Sequence, residues 1–250
     1  MLETFLNGLS TGDGMVLLIA SFIGSAMTAA FGVGGGAFLI MVMAGIMPAL
    51  ALIPVHGVVQ LGSNASRAVL ARQHLDWPRF FWFCLGACAA ALVSIWLIGA
   101  INTRWIPLLI AFFVLLITWM PMPSVGLGRH APGLISGGVL TTLGSMLVGA
   151  SGPLVSAWLN KDADNRWHYT ALFSSVMTVQ HLLKILVFGV AGFAFVAWLP
   201  LMLAMVVAGY FGTRLGLLLL GKWPESLFQK IYKCCLTLLA LRLIFMHFMQ

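Results

Sequence analysis

Residues 31–68 read FGVGGGAFLIMVMAGIMPALALIPVHGVVQLGSNASRA, and this stretch decides the fold. Gly32, Gly34, Gly35 and Gly36 crowd its start, set inside apolar sequence. Each interior glycine weakens a helix by roughly 0.5–1 kcal/mol relative to alanine, so a helix breaks here. Non-helical backbone at membrane depth survives only where protein buries it or where it lines a cavity. The segment that follows, 36–53, is interrupted by Gly45 and Pro48. The next, 54–73, carries His56, Gln60, Asn64 and Arg67, spaced four, four and three residues apart. That rhythm places the four on one helix face.

The rest of the chain supplies the solvent for this reading. Of 250 residues, 61% are hydrophobic and only 8% charged, whereas a soluble domain carries roughly 25% charged residues. So little charge cannot wet a surface, and the expected solvent is lipid. Apolar segments fall at about 15–31, 36–53, 54–73, 78–99 and 104–120, then at about 133–149, 152–159, 167–190, 196–220 and 228–248. The full-length runs suit roughly 30 Å of hydrocarbon crossed as helix. The start, MLETFLNGLSTGDG, has no Lys or Arg and so lacks the positive region of a signal peptide; insertion is expected to rely on the spans. The fold class expected is an all-α polytopic membrane protein.

The second half repeats the plan of the first. Gly149-Ala150-Ser151-Gly152-Pro153 breaks it as the glycine run breaks the first, and the segment after it, 152–159, is short. Short or Gly/Pro-interrupted segments at corresponding places in two halves point to a transporter's binding site. Residues 1–125 and 126–250 are read as two repeats. Each holds an odd number of crossings, so the second is expected upside down relative to the first. With the N-terminus outside, inside loops collect Arg72, Arg79, Arg129, Lys161, Arg166 and Lys222, with Lys230 nearby, while Arg104 and Arg242 fall outside. This bias places both termini outside, periplasmic for a cell inner membrane.

All six acidic residues, Glu3, Asp13, Asp76, Asp162, Asp164 and Glu225, fall in loops or the N-terminal tail. Basic and imidazole groups do enter the spans: His56 and Arg67 in one half, His181 and Lys184 in the other. Such groups cost about 2.5–3.5 kcal/mol on insertion scales and mark pathways. With no internal acid beside them, a travelling anion is the simplest partner. Thr170, Ser174, His181 and Lys184 form a second stripe with Thr178 and Gln180 beside it, and Asn64-x-x-Arg67 aligns with His181-x-x-Lys184. The two glycine breaks add free N–H groups at helix starts, a setting that favours anions. The candidate substrate-binding residues are Gly34, Gly35, Gly36, Gln60, Asn64, Arg67, Ser151, Gly152, Gln180, His181 and Lys184, with His56 and His181 as a proton relay. Plainer roles stand beside these: the glycines can serve close helix packing, Arg67 and Lys184 can snorkel to the interface, and Arg214 reads as an inside anchor.

Several function classes recede. No HExxH, paired acids or Walker A sequence occurs, which disfavours an embedded enzyme or an internal ATPase. Cys84, Cys88, Cys234 and Cys235 have no zinc spacing and read as small packing residues; no metal or cofactor is expected. The net charge of +7 is mostly topological, so no nucleic-acid partner is expected. The expected partners are the bilayer, a small anion and, in a homo-oligomer, further copies of the chain. An anion channel would use the same residues, and an embedded enzyme or a non-transporting subunit is the remaining alternative.

Over nearly its whole length the chain resembles the TauE/SafE family of sulfite exporters, also called toluenesulfonate uptake permeases. The 31–68 stretch carries the likeness, as a Gly-rich break followed by a polar-faced helix. Two departures are visible. A proline common after the first glycine run is replaced by Ile40-Met41-Val42, and the second break, GASGP, has fewer glycines. The resemblance implies transport of small sulfur-containing anions such as sulfite and organosulfonates, without fixing the anion or the direction.

Overall fold

The computed structural model describes residues 6–99, 102–120, 127–159, 166–219, 222 and 224–249. Within them the chain forms ten α-helices. These are α1 (Thr11–Phe31), α2 (Gly35–Ala44), α3 (Ala49–Ala71), α4 (Trp77–Ile98) and α5 (Ile106–Trp119), then α6 (Ala131–Val148), α7 (Gly152–Leu159), α8 (Arg166–Val190), α9 (Phe195–Leu219) and α10 (Glu225–Phe248). No strand occurs among the described residues. The expected boundary at 125/126 lies outside them, as does Lys161.

Local chemistry explains the helix ends. Ser10 caps α1 by accepting from Asp13 N–H at 3.1 Å, and Asp76 caps α4 by accepting from Arg79 N–H at 3.1 Å. Carboxylates suit such starts, where unpaired N–H groups and the helix dipole favour negative charge. α1 stops at Gly32 (φ 88°) and α6 at Gly149 (φ 78°), each donating its N–H back to the residue four earlier, Thr28 and Ser145. A side chain in that left-handed conformation costs roughly 1–2 kcal/mol, which is why glycine holds both positions.

Six helices, α1, α4, α6, α8, α9 and α10, are long and apolar enough to cross a membrane, making this a multi-pass membrane protein. The half-length segments are confirmed as such. α2 has ten residues and α7 eight, about 15 and 12 Å of helix, too short for roughly 30 Å of hydrocarbon. One boundary differs from expectation. The polar-faced segment was expected to begin at Pro54, but α3 starts at Ala49, after the break at Gly45–Pro48, and runs through Pro54. Proline's fixed φ suits a helix, so Pro54 costs one backbone hydrogen bond without ending it. α3 falls short of a lipid-facing span in hydropathy because of its polar stripe, and protein encloses it instead: His56, Gln60, Asn64 and Arg67 are all buried.

α3 packs against α8 and α9, α1 against α9, α4 against α6 and α8, and α5 against α10. Closely approached backbones hold the outer pairs, as when Gly212 of α9 meets the Phe22 carbonyl of α1 and Gly86 of α4 meets that of Ile135 in α6. Three apolar clusters result, two of them large. The larger joins α1, α2, α3, α5, α9 and α10, and the smaller joins α4, α6, α7 and α8. The cysteines are free, and Cys88 and Cys234 lie exposed on the helix surface, so those two are not packing residues within the bundle.

The two ends of the bundle differ in charge. Arg79 donates to the carbonyls of Gly128 (3.2 Å) and Leu159 (2.9 Å), and the His74 ring lies 5.9 Å from that of Trp167. The starts of α4 and α8, the end of α7 and the turn before α6 therefore share one end, here called the basic end. At the opposite end Trp105, before α5, lies 5.5 Å from His247 near the end of α10.

Candidate functional site

Where the two large apolar clusters meet, the two half-helices and the two polar-striped helices converge. A cavity of about 20 Å³ lies there, lined among others by Gly34, Gly36, His56, Gln60, Asn64 and His181. Thr28, Gly149, Ser151, Gly152, Phe173 and Met177 complete much of its wall. Its volume is room for about one water molecule. Both broken-helix starts reach it, α2 through Gly34 and Gly36, α7 through Ser151 and Gly152.

Hydrogen bonds preset the polar residues. His56 Nε2 pairs with the Gly36 carbonyl oxygen at 2.9 Å, tying α3 to the first break. Asn64 Nδ2 donates to the Gln60 carbonyl oxygen at 2.8 Å, which leaves Asn64 Oδ1 to accept from Arg67 at 2.6 Å. On the other side Ser151 Oγ donates to Gln180 Oε1 at 2.9 Å, and Gln180 Nε2 donates to Thr141 and Thr142 hydroxyls at 2.7 and 2.9 Å. Lys184 Nζ donates to the Gly149 carbonyl oxygen at 2.9 Å. The rings of His56 and His181 meet edge to face with centroids 5.9 Å apart.

The alternatives left open by the sequence are resolved residue by residue. Arg67 is 2% exposed and Lys184 0%, so neither snorkels. Arg67 lies toward the basic end of α3, and Lys184 toward the opposite end of α8. Arg214 is exposed. Gly35 serves helix packing, because a Cβ there would land on the Gly24 carbonyl of α1 and on Thr28 Oγ1. Gly36 faces the site instead, its missing Cβ lying 3.1 Å from Gln60 Nε2. Ser174 and Thr178 turn their hydroxyls back onto Thr170 and Ser174 carbonyls within α8. Gln180 faces α6 and the second break rather than the cavity.

The polar groups are unevenly paired. Both ring nitrogens of His181, His56 Nδ1, Arg67 Nε and Ser145 Oγ are buried without a hydrogen-bond partner. Leaving such groups unpaired costs roughly 1–3 kcal/mol each, more when charged. No carboxylate is buried among the described residues. Of these residues His56 and His181 line the cavity, where a bound anion's acceptor oxygens could meet ring N–H groups.

Thr28, Thr141 and Thr142 were not picked out from the sequence. A signal for one of them exists: Thr28 precedes Gly32 by the same four residues that separate Ser145 from Gly149. The polar partners of Gln180 on α6 had none, because Thr141 and Thr142 lie in an otherwise unremarkable apolar run.

Searches of curated proteins and of solved structures each returned no match. Residues 17–243, nearly the whole chain, match the family described as sulfite exporter TauE/SafE. The chain therefore belongs to the TauE/SafE family of membrane transporters.

Proposed function

We propose that this protein carries a small sulfur-containing oxyanion, sulfite or an organosulfonate, by alternating access between two inverted repeats, residues 1–125 and 126–250. One observation carries the reading. Four basic or imidazole side chains, His56, Arg67, His181 and Lys184, are buried in α3 and α8, around or beside a cavity that both helix breaks reach, with no buried carboxylate among the described residues. A bound oxyanion supplies the missing acceptors. Asn64, Gln60 and His181 bond its oxygens, the backbone N–H groups at Gly36 and Gly152 cradle them, and Arg67 and Lys184 attract the charge from opposite ends. The paired imidazoles of His56 and His181 offer a route for a proton to accompany the anion.

A common register supports the repeat. From Gly32 to Gly149 is 149 − 32 = 117 residues, and the same 117 separates Gly35 from Gly152, Asn64 from His181 and Arg67 from Lys184. Helix packing follows the same exchange: α1 on α9 corresponds to α6 on α4, and α3 on α9 to α8 on α4. In this reading the basic end faces the cytoplasm and both termini face the periplasm of a cell inner membrane.

The cavity holds about one water, less than a sulfite, so the site is closed here and must widen as one half rocks against the other. Proteoliposomes loaded with sulfite or an arylsulfonate test the reading. Saturable flux that needs the protein is expected. Flux of neither anion sinks the assignment, and a current near diffusion rates would make the protein a channel. Gly36→Ala is the variant that probes the cradle. Its methyl enters the site beside Gln60 and not a helix contact, so the protein should fold normally while flux falls several-fold. Wild-type flux in Gly36→Ala would remove the backbone N–H groups from the mechanism.

A further inference from the structure

A second pocket, of about 300 Å³, abuts the small cavity and shares Gly34 and Pro153 with it. It lies between the end of α5, the first turns of α10 and α7, on the side of the basic end. Sequence reasoning assigned it nothing, because residues 228–248 were read only as an apolar span.

Its lining is chemically specific. Lys233 projects from α10 eight residues after Glu225, about 12 Å along the helix, a depth at which a cation needs a reason. Its ammonium stands 5.5 Å from the Trp119 ring centre and has no hydrogen-bond or ion-pair partner among the described residues. Gln229, one turn earlier on the same face, also lines the pocket, and its amide has no hydrogen-bond partner among the described residues. Tyr232 lines this pocket and covers Gly34, which borders both spaces. Its hydroxyl donates to the Gly34 carbonyl oxygen at 3.1 Å, and its ring stacks on Phe228, which stacks on Phe31 at the end of α1. A Cβ on Gly34 would lie 3.0 Å from the Tyr232 ring, so the aromatic side chain closes directly over the first helix break. Toward the opposite end the cavity is stopped by apolar side chains, with Ile40 packed onto Gly149 and Met43, Leu52 and Val55 buried behind it.

We infer that this pocket is a staging site for the oxyanion at the basic end, with Lys233 as its cation, Gln229 as a hydrogen-bond donor and Tyr232 as the side chain that must move before the anion reaches the central site. The inference rests on the anion-transport reading. It adds a capture step outside the closed cavity and makes the two ends unequal, since nothing equivalent to Lys233 stands at the matching place in α5, where Leu116 holds the position 117 residues earlier.

The test is sulfite flux into or out of proteoliposomes, with sulfite presented at the basic end at varied concentration. Lys233→Gln should raise the half-saturating sulfite concentration about five- to tenfold, a range set by one charge acting through a partly wet pocket. The maximal rate and the heat resistance of the empty protein should stay as in wild type, Lys233→Arg should restore half-saturation, and rising inert salt should shrink the difference. Flux through wild type with an unchanged half-saturating concentration in Lys233→Gln overturns the staging site and leaves transport standing. So does a lower maximal rate at unchanged half-saturation, which would make Lys233 part of the conformational step. A wild-type protein that moves neither sulfite nor an arylsulfonate fails at the earlier reading.

Discussion

Lys184→Met is expected to cut sulfite flux at least tenfold while leaving the anion-free protein as heat-resistant as wild type or more so. The two effects come from one desolvation argument. Lys184 is fully buried, and among the described residues its ammonium hydrogen-bonds only to the Gly149 carbonyl oxygen and no carboxylate is buried. A lone charge held that way lowers the stability of the empty protein, and a methionine of similar length removes the burden at the loss of one hydrogen bond. Leaving the buried Gly149 carbonyl oxygen without its donor costs roughly 1–3 kcal/mol, against about 2.5–3.5 kcal/mol for a cation at membrane depth on insertion scales. The balance favours the variant's fold and removes its attraction for the anion. Arg67→Met should differ, because Asn64 Oδ1 would lose its donor at 2.6 Å inside the protein, so that variant should lose flux and heat resistance together. Thermal unfolding in detergent, with and without sulfite, separates the cases. A Lys184→Met protein that melts well below wild type would show the lysine to be a strut for the second helix break.

The other large effect is structural. Gly35→Ala should yield little folded, monodisperse protein on size-exclusion chromatography. The added Cβ would meet the backbone carbonyl of Gly24, and no side chain at Gly24 can be trimmed to make room. α1 and α2 would have to part, opening the wall of the larger apolar cluster. The contrast with Gly36→Ala is diagnostic, since adjacent glycines of one run then report on packing and on binding separately. A Gly35→Ala protein with wild-type yield and melting temperature would mean that the two helices do not depend on this close approach.

The glycine run illustrates what can be read without coordinates. A cluster of glycines inside apolar sequence announces a broken helix, and its counterpart at GASGP announces a second. The half-length α2 and α7 follow from those signals. The polar stripe His56, Gln60, Asn64 and Arg67 was equally legible, because helix periodicity alone places residues spaced by four, four and three on one face. In the second stripe periodicity misled. Ser174 fits the rhythm and Thr178 stands beside it, yet their hydroxyls bond their own helix backbone, a local option always open to Ser and Thr that spacing does not reveal.

Composition and period by themselves determined the solvent, the helical class, the two breaks and the faces that carry charge, since each depends on residues near one another in the chain. Which cations end up enclosed, which glycine of a run packs and which faces the cavity, and the pairing of Lys233 with Trp119 were decided only when distant helices met. Their cause is physical: a helix fixes the direction of a side chain, but its dielectric surroundings and its partners come from neighbours a hundred or more residues away. Lys184 beside Gly57 of α3 and Tyr232 over Gly34 of the first break are contacts of that kind.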